Sequence, residues 1–281
     1  MILVTGASGK TGKAVIKSLS KVESVCAFVR AEKHIEPLKS LGAEKVFVGD
    51  LENKTALLSA TKDIRAVYHI CPNMNPHEIE IGKIILDVAK QNGIEHFVYH
   101  SVLHPQIEAM NHHWQKMRVE EMIFESGIPF TILQPAPYMQ NLLANWKSVI
   151  EEGILRIPYS VESKFSFIDL EDLAEVVKII LTESNHKNTI YELASTNPIS
   201  HVEVAKIFSK VLKLEVKAEK EEIRDWRLRV SDLSEYALEN LVRMFEYYDK
   251  WGLVGNPNVL KWILRKESRS LENFASKTLN I

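Results

Sequence analysis

Apolar positions in the first half of the chain alternate between short unbroken runs and runs with helical spacing. Ile2 to Val4 is a continuous apolar run and predicts a buried strand. From Lys13 to Leu19, the residues Val15, Ile16 and Leu19 share one face, which predicts a helix. Further strands are predicted at Val25–Val29, Val46–Val48, Ala66–Ile70, His96–Tyr99 and Phe130–Leu133. Between them lie helical patterns: one around Ile35, Leu38 and Leu41, ended by Gly42, and one at Glu78–Lys90 with Ile81, Ile84, Ile85 and Val88 as its apolar stripe, stopped by Gly93. A third covers His112–Glu125, ended by Gly127. Repeated strand–helix–strand units with short connections predict an α/β fold, a doubly wound parallel sheet with helices on both faces. Unbroken apolar strands fit burial on both sides.

After Pro135 the pattern shifts to longer helices and sparser strands. Helices are predicted at Tyr138–Ile150, at Asp169–Leu181 with Asp169 as N-cap, from Ser200 onward, and from Asp232 to Trp251, the chain staying helical to its end. Short strands are predicted at Phe165–Ile168 and Thr189–Leu193. The predicted division is a core over 1–135 and a smaller, mostly helical C-terminal lobe over 136–281. That lobe is interleaved with the core and includes the returning strand near 189–193.

With 46% hydrophobic and 26% charged residues, 281 residues can bury a core without disulfides or metals. A net charge of −2 gives no basic excess for a phosphate backbone, so direct nucleic-acid binding is not expected. The basic stretch Lys261–Arg269 is interrupted by Trp262, Ile263, Leu264 and Glu267 and reads as an amphipathic helix end. Two cysteines, Cys26 and Cys71, suggest a reducing compartment. A strand beginning at residue 2 leaves no room for a signal peptide, and no apolar run reaches membrane-spanning length, so a cytoplasmic location is expected.

The segment Thr5-Gly6-Ala7-Ser8-Gly9-Lys10-Thr11-Gly12 carries the strongest chemistry. It follows a strand and opens an amphipathic helix, the context in which spaced glycines bind a dinucleotide. Gly6 permits a tight turn, Gly9 a close backbone approach to a pyrophosphate, and Gly12 close helix–sheet packing. The helix N-terminus then presents N–H groups and its positive dipole end to phosphate. Lys10 is a charge near those phosphates; the spacing of a P-loop is absent. A Rossmann-type site follows. At the end of the second strand, Phe28-Val29-Arg30 offers a guanidinium suited to a 2′-phosphate where an NAD site would carry an acid. NADP(H) is therefore the expected cofactor, with Glu32 leaving NAD(H) as the lesser alternative.

The chain resembles the NmrA-like branch of atypical short-chain dehydrogenases/reductases. The resemblance rests on the glycine turn, Phe28-Val29-Arg30, Gly49-Asp50-Leu51 and Ser101-Val102-Leu103-His104. It rests also on the run Ser126 to Pro135 and on Pro137-Tyr138-Met139-Gln140-Asn141. It implies NADP(H) bound in a Rossmann domain beside a smaller lobe. It also implies Asp50 and Leu51 by the adenine, Cys71, Pro72 and Asn73 along the cofactor, and Pro137 to Gln140, with Tyr138, flanking the nicotinamide. Family members include quinone and dye reductases and redox sensors that regulate through partners, so a homodimer or a regulatory protein partner stays open. Where typical short-chain reductases carry Tyr-x-x-x-Lys, this chain has His112-His113-Trp114-Gln115-Lys116. That departure disfavours sugar epimerisation and ordinary carbonyl reduction.

Positions 112 and 116 lie one helical turn apart. Lys116 is the candidate to hold the nicotinamide ribose and His112 the candidate proton donor. Ser101 matches the family's serine. Tyr138, Met139, Trp146 and Phe165 are candidates for an apolar pocket or for core packing. The histidines lack zinc-helix spacing, so no metal is expected. Two functions remain: an NADPH-dependent oxidoreductase reducing a quinone-like or other small conjugated acceptor, and an NADP(H)-sensing regulator with little turnover.

Overall fold

The computed structural model describes residues 1–230 and 233–278. Four strands, β1 (Ile2–Val4), β2 (Val25–Val29), β4 (Ala66–His69) and β5 (His96–His100), are buried along their whole length. β3 (Lys45–Val48) has exposed ends, β6 is Phe130–Pro135 and β9 is Thr189–Leu193. These seven form one sheet in the order β3-β2-β1-β4-β5-β6-β9. Every pair from β3 to β6 is parallel. The Asn188 N–H bonds Phe130 O at 2.6 Å and the Ala136 N–H bonds Leu193 O at 2.9 Å, so β9 runs the same way. Strand order reverses between β1 and β4, and the loops leaving their C-terminal ends part there. In open α/β sheets that crevice is where ligands bind.

The helices of this half are α1 (Lys10–Leu19), α2 (Ile35–Ser40), α3 (Lys54–Ala60), α4 (Glu78–Gln91) and α5 (Asn111–Ser126). In α1, Val15, Ile16 and Leu19 are buried while Lys13 and Lys17 are exposed, the arrangement the periodicity predicts. Leu57 of α3, Ile85 of α4 and Val119 of α5 join Leu3, Phe28 and Phe97 in one core cluster. Covering a strand face this way removes roughly 25 cal/mol of unfavourable hydration per Å² of apolar surface.

Two compact units divide the chain. The first comprises 1–106, 112–134 and 173–191. The second comprises 107–111, 135–172 and the described chain from Glu192 on. Its elements are α6 (Trp146–Glu152), β7 (Ile154–Ile157), β8 (Lys164–Phe165), the start of α7 (Leu170–Thr182), β10 (Ile199–Ser200), α8 (His201–Leu212), β11 (Lys217–Lys220), α9 (Ile223–Arg229), α10 (Glu235–Trp251), α11 (Asn258–Leu264) and α12 (Leu271–Thr278). β7 pairs in parallel with β11, and β8 pairs antiparallel with β10.

Several sequence expectations change. The single helix expected over Tyr138–Ile150 is a 3₁₀ turn at Met139–Asn145 followed by α6. Its start is captured from outside. The Met139 N–H bonds Ile168 O at 2.9 Å, and the Gln140 side chain bonds both the Asp169 carboxylate and the Leu170 N–H. The strand expected at Phe165–Ile168 shortens to Lys164–Phe165, because the Ser166 and Ile168 N–H groups bond Leu253 O and Pro137 O. α3, which apolar spacing does not announce, begins where Asn53 Oδ1 accepts the Ala56 N–H at 3.1 Å. α10 begins at Glu235 behind a Ser234 cap; the expected start at Asp232 lies outside the described residues. Non-helical stretches separate α10, α11 and α12, and 279–281 also lie outside the described residues. Asp169 does cap α7, its Oδ1 accepting the Glu171 N–H at 2.8 Å.

Candidate functional site

The turn from β1 into α1 follows from two backbone facts. Gly6 has φ +58°, a region that L side chains rarely enter, and a Cβ there would lie 2.7 Å from Ile70 O. A Cβ on Gly12 would lie 2.6 Å from Ala7 Cα, so only glycine lets the helix lie this close to the turn. Gly9 is the N-cap of α1, is exposed, and has no side chain to close the first turn. An uncapped, solvent-facing helix N-terminus behind a glycine turn is a fitting cradle for a pyrophosphate. Ser8 and exposed Lys10 border it.

Thr5 stitches β1 to β4 beneath this turn. Its Oγ1 accepts the Ile70 N–H at 2.9 Å and lies 2.8 Å from His69 Nδ1. His69 is fully enclosed, and burial pulls its pKa down to about 4, so the imidazole is neutral. On the adenosine side of the expected cofactor, Arg30 Nε stands 3.5 Å from Asp50 Oδ2, both side chains exposed. Leu51 is half-buried; Pro72 and Asn73 are exposed. Cys71 is buried, and burial first, then the Glu78 carboxylate, pushes its thiol far up, so it stays protonated.

At the C-terminal end of β5 the structure gathers a buried polar cluster. Lys116, on α5, is 5% exposed, so its ammonium needs a partner inside the protein. The partner is Glu78 at the start of α4: Nζ donates to Oε1 at 3.0 Å and to His100 O at 3.4 Å. The Tyr99 hydroxyl donates to the same Glu78 oxygen at 2.8 Å. Burial raises the Glu78 pKa, but Lys116 and these hydrogen bonds outweigh it and hold the carboxyl below the usual range. Ser101 Oγ donates to Glu120 Oε1, and Gln134 Nε2 donates to both Glu120 oxygens at 3.0 and 2.9 Å. Ser101, expected as a cofactor contact, thus spends its hydroxyl on a buried carboxylate.

Sequence reasoning missed both carboxylates. Glu120 follows Lys116 by four residues on the same helix and could have been found from that spacing. Glu78 is 38 residues away and carries no local signal. His112 shows a different departure. It is buried, its Nδ1 has no partner among the described residues, and its ring meets His113 edge-on at 4.5 Å. Burial, then His113 and Lys116, drops its pKa to about 2. An imidazole that carries no extra proton near neutral pH is a poor general acid, which weighs against the expected role.

In the second unit, Pro137 O accepts the Ile168 N–H and Tyr138 bridges Ile168, which fixes the stretch expected to flank the ring. Met139 and Phe165 are core residues here. Phe165 packs against Tyr159, His201 and Tyr248, and Trp146 meets Phe208 at 5.3 Å. Met139 and Phe165 thus pack in the core, and Trp146 is half-buried. No helix among the described residues is long and apolar enough to cross a membrane.

Set beside known proteins, residues 1–279 match the model of the NmrA-like family. The chain belongs to that family. This NmrA-like protein is 29% identical over 212 residues to an NAD(P)H azoreductase of Xenophilus azovorans, covering 74% of this chain and 73% of the relative. It is 26% identical to quinone oxidoreductase 2 of Escherichia coli, over 75% of this chain and 74% of that one. The crystal structure of the NADPH-dependent quinone oxidoreductase of Escherichia coli complexed with NADPH superposes with a TM-score of 0.88 at 24% identity, over 100% of both chains. That likeness is one of fold.

Proposed function

We propose that this protein is an NADPH-dependent oxidoreductase that reduces a quinone-like or other small conjugated acceptor. The observation that carries the reading is the uncapped α1 N-terminus behind Gly6 and Gly9, with the Arg30 guanidinium at the end of β2. The relatives, an azoreductase and a quinone oxidoreductase, support the same chemistry, which favours turnover over a purely sensing role. When bound, NADPH supplies a hydride; the acceptor takes it up together with one proton.

The chain's own residues would divide the work. First-turn N–H groups of α1, with Ala7, Ser8, Lys10 and Thr11 around them, hold the pyrophosphate. Arg30 pairs with the 2′-phosphate, and Asp50 and Leu51 bound the adenosine side. Cys71, Pro72 and Asn73 line the middle of the cofactor, and Ser101 and Lys116 organise the end of β5. A buried, protonated Cys71 contributes shape and no nucleophile.

Titration calorimetry with NADPH and NADH, followed by NADPH oxidation across a panel of quinones and azo dyes, tests the reading. Binding with rapid oxidation by at least one acceptor is the expected result. Tight binding with no turnover across the panel would replace the reductase with a sensor, and no binding of either dinucleotide would end both.

A further inference from the structure

The buried ammonium of Lys116 is held by a residue that the cofactor motifs do not include. Of the two buried carboxylates near the end of β5, Glu78 and Glu120, the ammonium bonds Glu78. Glu120, one helical turn on, has both oxygens engaged by Gln134 and one also by Ser101. Glu78 is left to take the charge, at 3.0 Å, with the two side chains 6% and 4% exposed. Its position favours that role. It opens α4, where the helix dipole stabilises a negative charge. The Tyr99 hydroxyl fixes the same oxygen, and the Tyr99 ring lies 5.4 Å from Nζ. An ammonium has three N–H donors. One goes to Glu78 and one to His100 O, which sets the direction of the third.

We propose that Glu78 is a positioning residue of the cofactor site: it holds the Lys116 ammonium at the C-terminal end of β5 with one donor left for a ribose hydroxyl. This rests on the reading that the protein binds a nicotinamide dinucleotide. A neutral residue at position 78 leaves a buried ammonium with no counter-charge and no fixed direction. Cofactor affinity should then fall although Glu78 itself touches no cofactor.

The test is calorimetry with NADPH and NADH on wild type, Glu78→Gln, Lys116→Met, the double variant and Glu78→Asp, with thermal melting as the check on folding. Glu78→Gln should weaken both dinucleotides about tenfold, the loss of one charge-assisted hydrogen bond, and leave their ratio unchanged. In the Lys116→Met background the same change should add nothing. Glu78→Asp keeps the charge one methylene short and should recover part of the affinity. Unchanged affinity in a folded Glu78→Gln, or losses that multiply in the double variant, would overturn the proposal and leave the cofactor reading standing. If Glu78→Gln does not fold, Glu78→Asp decides: affinity equal to wild type overturns the proposal, and a partial loss that vanishes in the Lys116→Met background supports it. Wild type that takes up neither dinucleotide would remove the cofactor reading itself, and this proposal with it.

Discussion

Arg30 reaches across the ends of two neighbouring strands to Asp50, its Nε 3.5 Å from the carboxylate. With the side chains 75% and 46% exposed, that pair is worth little by itself, so Arg30 is oriented without being locked. On the proposed reading, this exposed guanidinium is the group that a bound 2′-phosphate would pair with. Arg30→Ala should therefore weaken NADPH binding by roughly ten- to a hundredfold, the size of a lost charge-assisted pair, and leave NADH within about threefold. Calorimetry with both cofactors checks this, and equal losses would remove Arg30 from its role.

Gly12 is the tightest point of the turn. Its missing Cβ would lie 2.6 Å from both Ala7 Cα and Gly6 O, which are backbone atoms and cannot swing away. Gly12→Ala should cost about 1–3 kcal/mol of stability, as overpacking does, and should weaken cofactor binding by moving the helix N-terminus. A denaturant midpoint equal to wild type would contradict the close approach.

Six histidines are buried and neutral. His69, His96, His113 and His201 are pulled down to about 4, His100 to about 3 and His112 to about 2, burial being the leading cause in each. Unfolded, each titrates near 6.5. Between those values the unfolded chain binds protons that the folded one refuses, so stability falls as pH falls below about 6.5. Each histidine contributes at most about 1.4 kcal/mol per pH unit in that window. Glu78, held below the usual carboxylate range, acts in the same direction; Glu120 and Asp172, pushed up chiefly by burial, offset part of it. Melting temperature should drop steeply from pH 7 to pH 5, and a flat profile would argue against these burials.

His112 as proton source would make turnover collapse in His112→Leu. Its burial and low pKa argue for the opposite. His112→Leu should keep kcat within about threefold and should stabilise against acid, since a buried imidazole that gains its proton only on unfolding is removed. Steady-state kinetics with the best acceptor of the panel decides between the two.

Arg269 ties the C-terminal segment of the second unit to the start of α7. Its guanidinium pairs with Asp172, which is 0% exposed, and its backbone N–H bonds the same carboxylate at 2.7 Å. Arg269→Met strands a buried carboxylate and should cost about 3 kcal/mol. Hydrogen exchange should rise most in α12. Asp172→Asn in addition should recover part of the loss.

What was legible in the sequence was whatever a few neighbouring residues decide. Val15, Ile16 and Leu19 announce a helix face by spacing alone. Gly6 and Gly12 announce a turn that no side chain fits, and Asp169 announces the start of α7, which its carboxylate caps. Arg30 stands out because it sits one residue past a strand in a known setting. The tertiary structure alone decided which polar groups meet and which of them water reaches. Lys116 reads the same in sequence whether it faces solvent or a carboxylate 38 positions earlier. His112 reads as a titratable donor until the surrounding chain buries it. The stretch after Tyr138 reads as one helix until Ile168 and Asp169 take its first hydrogen bonds. Backbone geometry is a local property; burial and pairing are set by segments far apart in the chain, and these fix charge, proton affinity and reach.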